Sequence, residues 1–201
     1  LPQILREFFN ILIIFSEGKY MLKPMIFLAC LTFCLTMQTG MAHAATTKFK
    51  NIPTMMNTLA EYSEEMGTFS PGKKDQTRFE LHPVVDENDP EEIVVLRAKQ
   101  AIIWTVYRVF IHTPINQVSV KSTPKIYKDE NWKPLSKYSQ TLTITREKAL
   151  AALGDLLNVN SFNELVLDDT WSTLYDQIAI EDQEPGPEKT FAILLEKSRD
   201  K

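Results

Sequence analysis

His82 and His112 are the two residues beyond the N-terminal segment whose side chains are most often used for acid–base catalysis or metal binding. They lie far apart in the sequence, and neither belongs to an H-E-x-x-H pair. The chain also has no G-x-S-x-G motif to supply a nucleophilic serine. At the end of a predicted helix, His112 is expected to contact the last helical carbonyls. A secreted hydrolase built from scattered Ser, His and Asp residues is therefore an alternative that no motif supports.

Carboxyl groups offer a second kind of chemistry, because a glycosidase needs only two of them. The candidates are Asp168, Asp169, Asp176, Glu181 and Asp182. They belong to a stretch that is acidic throughout, which is typical of a solvated surface. The run 86–89 resembles part of a calcium loop but lacks its turn glycine and closing glutamate. With no glycine-rich phosphate loop either, we predict no catalytic residue, no metal ligand and no cofactor, and the sequence argues against an enzyme without deciding the question.

The segment Lys121–Tyr138 has the most distinctive composition. It holds five lysines and only two acidic residues, with aromatic residues between the lysines. Such a segment can bind an anionic or sugar-containing ligand by charge, stacking and cation–π contacts, and an exposed tryptophan often anchors a protein contact. The predicted binding surface consists of Lys125, Tyr127, Lys128, Trp132, Lys133, Lys137 and Tyr138. In the alternative interpretation, Trp132 packs over the core and the lysines keep an edge strand soluble.

The N-terminal residues 21–44 have the pattern of an export signal. A short basic start at Met21 precedes an apolar run from Met25 to Met37, and Ala42 and Ala44 form an A-x-A cleavage pattern. We therefore expect translation to begin at Met21, residues 1–20 to be a spurious extension, and residues 21–44 to be a cleaved signal peptide. The apolar run is shorter than the roughly 20 residues that a membrane helix needs. An uncleaved N-terminal anchor is the alternative.

The composition of the 201-residue chain, with 44% hydrophobic and 24% charged residues, is that of an ordinary globular protein. A net charge of −4 gives no basic excess, so nucleic acid is not an expected partner. Both cysteines, Cys30 and Cys34, lie in the predicted signal peptide. The remaining residues 45–201 then have no thiol for a disulfide or a metal site. We expect this single domain in the bacterial periplasm or outside the cell.

Hydrophobic spacing predicts the first half of this domain. Apolar residues at three- and four-residue steps indicate a helix over 52–66 that is capped by Gly67, and residues 70–75 have the composition of an exposed turn. Alternation over 79–84 indicates a strand. A central helix is predicted over about 90–111, with Asp89 as its cap, and its second half is apolar nearly all round.

The second half of the domain is predicted in the same way. Val118 and Val120 indicate a strand that pairs with a second strand over 141–145. Thr145 is a suitable cap for a helix that ends at Leu157. Further predictions are a capping box over 161–164, an amphipathic stretch over 171–178, a break at 185–187, and a strand or helix over 191–195.

These elements predict an α+β fold in which a small antiparallel sheet packs against a central buried helix with additional flanking helices. Since no catalytic motif is present, we expect an exported, non-catalytic binding or interaction domain of the bacterial cell envelope. Its expected partner is a protein, a glycan or a lipid head group, with a membrane contact only if the N-terminal segment stays uncleaved. A membrane-anchored structural subunit of an envelope assembly is the main alternative, and an exposed apolar stripe on the 52–66 helix would favour it.

Overall fold

The computed structural model describes residues 46–167 and 169–200, so the predictions for residues 1–44 fall outside the described part. That part is a mixed α+β structure, as predicted, with helices packed on the sheet. Its helices are α1 (Ile52–Leu59), α2 (Glu91–His112), α3 (Arg146–Leu157), α4 (Thr173–Ala179) and α5 (Gly186–Arg199). Its strands are β1 (Phe69–Pro71), β2 (Arg78–Leu81), β3 (Gln117–Ser122), β4 (Lys125–Lys128), β5 (Asn131–Pro134), β6 (Gln140–Thr145), β7 (Val166–Leu167) and β8 (Thr170–Trp171). None of these helices combines the length and apolar character needed to cross a bilayer.

The main sheet has four strands in the order β1-β2-β3-β6. The predicted pairing of β3 with β6 is confirmed, with Val118 opposite Ile144 and Val120 opposite Leu142. The sheet is mixed, because β2 and β3 run parallel. Parallel neighbours need a long crossover, and α2 supplies it between these two strands. Strand β1 was not predicted: its Ser70 and Pro71 look like turn residues, but they pair with β2.

Helix α2 is the centre of the core, as predicted. Every residue from Ala101 to His112 is buried, and the helix packs against β3 and β6 as well as against α5. Contact on more than one side explains why its second half has no polar face. The predicted cap is wrong, because Asp89 Oδ2 accepts the backbone N–H of Asp86 and Pro90 occupies the cap position without a side-chain hydrogen bond.

Helix α1 is shorter than predicted. It ends at Leu59 because Ala60 adopts a left-handed conformation with φ of 59°, and Gly67, the predicted cap, lies in the turn that follows. The apolar residues Ile52, Met55 and Met56 are buried. The exposed stripe that would favour an anchored subunit is therefore not found on this helix.

In the C-terminal half, the predicted helix caps are confirmed, and the predicted break at 185–187 is confirmed only in part. Thr145 caps α3 by accepting the N–H of Lys148, and Ser161 forms the predicted capping box on the 3-10 turn Phe162–Leu165. The prolines flanking Gly186 do separate two helices, but they also begin α5. Residues 191–195 are helical within α5, which resolves the ambiguity of that short run.

Candidate functional site

The predicted binding segment folds as a β-hairpin. Strands β4 and β5 pair antiparallel, and the turn between them places Asp129 and Glu130 in the left-handed region, as a two-residue type I′ turn requires. Tyr127 lies opposite Trp132, and Lys125 lies opposite Pro134. Since side chains alternate along a strand, these four residues share one face of the hairpin. The alternation puts Lys128 and Lys133 on the other face.

Four large apolar side chains are exposed around Lys125. We call Met66, Val84, Tyr127 and Trp132 the hairpin face; their exposed fractions are 49%, 53%, 59% and 49%. Val84 pairs with Lys125 in a parallel bridge, and the Tyr127 and Trp132 rings meet edge to face with their centroids 5.2 Å apart. Only two further large hydrophobic side chains are exposed in the described part of the chain, Leu167 and Ile180. The exposed apolar surface is thus concentrated at the hairpin.

The lysines of this segment are mostly paired with carboxylates. The pairs are Lys121 with Glu80, Lys128 with Glu87, Lys133 with Asp129, and Lys137 with Glu91. The Tyr138 hydroxyl also donates to Glu91, at 2.6 Å. Three of these four acidic residues, Glu80, Glu87 and Glu91, lie outside the segment in the sequence. The fold therefore neutralises most of the positive charge that the segment carries. The hairpin therefore presents an aromatic surface more than a basic one.

Lys125 differs from the other lysines of the segment. Only 6% of the residue is exposed, and its Nζ donates to the carbonyl of Gly67 at 2.8 Å and to that of Met66 at 3.4 Å. The ammonium also lies 4.3 Å from the centre of the Trp132 ring. No carboxylate lies within 4 Å of it among the described residues, and burial lowers the pKa of Lys125. It is a buried cation without a counter-ion in the part of the chain that the structure describes.

An open cleft of about 470 Å³ lies beside the hairpin. Its lining includes Glu64, Glu65, Met66, His82, Lys125 and Trp132. Of its eight lining residues, the segment Lys121–Tyr138 contributes three, which are Lys125, Trp132 and Pro134. The others come from the turn after α1 and the end of β2, so no local sequence signal could group them with the hairpin.

Each of the two histidines has one ring nitrogen bonded to a backbone carbonyl. His82 Nδ1 donates to the carbonyl of Thr123 at 3.2 Å, and its Nε2 lies 3.4 Å from the Ser70 hydroxyl. His112 is fully buried, and its Nδ1 donates to the carbonyl of Thr47 at 2.8 Å. A guanidinium can only donate, so His112 Nε2 accepts from Arg108 Nη1 at 3.1 Å. His112 is thus a neutral structural histidine held by two protein groups, and burial lowers its pKa.

The acidic candidates have different surroundings in the described part of the chain. Asp169 accepts the N–H and the hydroxyl of Thr47, which lowers the pKa of its carboxyl group. Asp168 lies outside the described residues, whereas Glu181 and Asp182 are exposed. No group of three His, Cys, Asp or Glu residues there is placed to hold a metal ion.

No family model matches the chain, and neither a curated protein nor a solved structure is significantly similar to it.

Proposed function

We propose that the chain is an exported, non-catalytic binding domain of the bacterial cell envelope and that the hairpin face contacts a protein partner. One observation carries the proposal: Met66, Val84, Tyr127 and Trp132 are each about half exposed and lie together around Lys125. A cluster of exposed apolar side chains on a soluble protein is typical of an interaction surface. Trp, Tyr and Met are among the residues that are enriched at such surfaces.

The chemistry of the hairpin face favours a protein over a glycan or a lipid head group. Met66 and Val84 offer no flat ring for stacking on a sugar, and the Trp132 ring already packs against the Lys125 ammonium. Anionic lipid would require several exposed, unpaired lysines, whereas Lys128, Lys133 and Lys137 are each paired with a carboxylate and Lys125 is buried. An apolar segment of another protein matches both features.

The export part of the proposal rests on the signal pattern over 21–44 and on the absence of cysteine from residues 45–201. Intact-mass analysis of periplasmic, membrane and cytoplasmic fractions from an expressing bacterium tests it. We expect a periplasmic species that begins at Ala45. An uncleaved species in the membrane fraction would overturn the signal assignment and favour the anchored-subunit alternative.

The binding part is tested by selection from a phage-displayed peptide library on the immobilised protein. The test variant is the double substitution Tyr127→Ser and Trp132→Ser. The matched control is Leu167→Ser with Ile180→Ser, which removes the two large hydrophobic side chains that are exposed outside the hairpin face among the described residues. We expect peptides enriched on the wild type to bind the control equally and to lose at least about tenfold in affinity on the test variant. Equal binding to the test variant would refute the surface. Binding to a glycan array or to anionic vesicles, with no peptide enriched, would refute the protein partner.

A further inference from the structure

Lys125 lines the cleft, and its cation has no counter-ion among residues 46–167 and 169–200. Its ammonium is held by two backbone carbonyls and the Trp132 ring, and no carboxylate lies within 4 Å in the described part. Removing a charge from water without an opposite charge nearby is unfavourable. The carbonyls offset part of that cost, and a ligand anion would supply the rest.

We propose that this cleft binds the C-terminal carboxylate of a peptide whose last residues are apolar, with the carboxylate paired to the Lys125 ammonium. The inference rests on the proposed function, since it specifies the partner of the hairpin face. A carboxylate is the anion a peptide chain always carries at its end, and a charge-assisted hydrogen bond to an ammonium is among the strongest polar contacts.

The residues around Lys125 indicate which side chains the peptide ligand should carry next to its carboxylate. Met66 and Trp132 line the same cleft and are both half exposed, so an apolar terminal side chain can bury surface against them. Glu64 and Glu65 line it too and are exposed, which favours a ligand that is neutral or basic upstream of its carboxylate. A volume of about 470 Å³ accommodates one or two residues, and Tyr127 and Val84 extend the apolar surface beyond the cleft.

The test compares two pools of pentapeptides with randomised apolar residues at the last two positions, one pool with free C-terminal carboxylates and the other with C-terminal amides. Retention on the immobilised protein is measured by mass spectrometry. The variant is Lys125→Met, and the control is Lys128→Met, which removes a lysine from the opposite face of the same hairpin. We expect the wild type and the control to prefer free acids by about tenfold or more, and Lys125→Met to lose this preference.

The Lys125→Met variant is expected to fold. Methionine fills a similar volume, and the carbonyls that Lys125 leaves belong to Met66 and Gly67, which are exposed and can be hydrated. Removing a sequestered charge without a counter-ion should leave the urea midpoint unchanged or raise it. A second measurement needs no variant: the Lys125 side-chain carbon resonances of the wild type should shift on addition of N-acetyl-leucine but not of its amide.

The outcomes distinguish carboxylate recognition by Lys125 from the broader proposal that the hairpin face binds a protein. Equal retention of acids and amides, lost on the Tyr127→Ser and Trp132→Ser variant, would overturn carboxylate recognition and leave the proposed function intact. Retention of neither pool, or unshifted Lys125 resonances, would also overturn carboxylate recognition. The phage selection then decides the proposed function separately, because it presents internal peptide segments as well as chain ends.

Discussion

Replacing His112 should change how the stability of the protein depends on pH. The ring is fully buried, its Nδ1 donates to Thr47 and its Nε2 accepts from Arg108. Protonation would place an N–H and a positive charge directly against the Arg108 guanidinium. Besides Arg108, the charged groups that act on the ring are Asp169, which favours protonation, and Lys48, which opposes it. Burial is the largest cause, and it lowers the pKa of His112 below its ordinary 6.5.

The sign and size of the effect follow from proton linkage. In the unfolded chain His112 takes up a proton near pH 6.5, whereas the folded chain binds it only at lower pH. Its contribution to stability is therefore fully present above pH 6.5 and is lost as the pH falls from there through the folded-state pKa. If the folded ring stays neutral to pH 5.5, the loss between pH 7.5 and 5.5 is about 1.4 kcal/mol, which is an upper limit for one histidine.

Urea unfolding followed by circular dichroism at pH 7.5, 6.5 and 5.5 measures this loss. His112→Gln keeps a polar side chain that does not titrate, so its unfolding free energy should fall less with pH than that of the wild type, by up to about 1.4 kcal/mol over this range. Carboxyl groups such as Glu61, whose pKa is raised by burial, titrate in both proteins and cancel in the comparison. His82→Gln serves as the control for removing a partly buried histidine. Parallel pH dependences of the wild type and His112→Gln would refute the assignment of a neutral, buried His112.

Four further substitutions test the fold by urea unfolding. Trp104→Ala removes a buried ring at the centre of α2 and should destabilise by about 3–5 kcal/mol; a loss below about 1 kcal/mol would contradict the central position of the helix. Tyr107→Phe should leave stability unchanged or raise it, because the buried Tyr107 hydroxyl has no hydrogen-bond partner among the described residues; a loss above about 1 kcal/mol would reveal a partner. Thr145→Ala should cost about 1 kcal/mol through loss of a helix cap, whereas Asp89→Ala should change stability by less than about 0.5 kcal/mol because Asp89 does not cap α2. The reverse order of these last two effects would refute the cap assignments.

Local sequence signals predicted most elements because they act over three or four residues. The side chains of Thr145 and Ser161 accept backbone N–H groups at the start of the helical turn that each one caps. The second half of α2 is apolar nearly all round, so it had to be buried on more than one side whatever it packs against. Local signals gave the wrong residue at two helix ends, the start of α2 and the end of α1. Asp89 accepts the N–H of Asp86 and caps no helix, while Ala60 ends α1 before the predicted glycine.

The candidate site likewise combines residues that local sequence signals identify with residues that only the fold brings together. Tyr127 and Trp132 belong to one segment, and their position on a hairpin follows from alternation and turn residues, so the sequence could single them out. Met66, Val84 and His82 join them only through the packing of other elements, and no spacing in the chain encodes that. The charge that the segment presents also depends on the fold, because Glu80, Glu87 and Glu91 pair with its lysines from distant positions in the sequence.

The sequence by itself determined the α+β class, the central helix and the presence of an aromatic segment, because hydrophobic period and capping are local properties of the chain. Only the tertiary structure decided the parallel pairing of β2 with β3, the charge balance of the hairpin and the sequestration of Lys125. Those features depend on residues far apart in sequence, and both desolvation and charge pairing depend on distances that only folding sets.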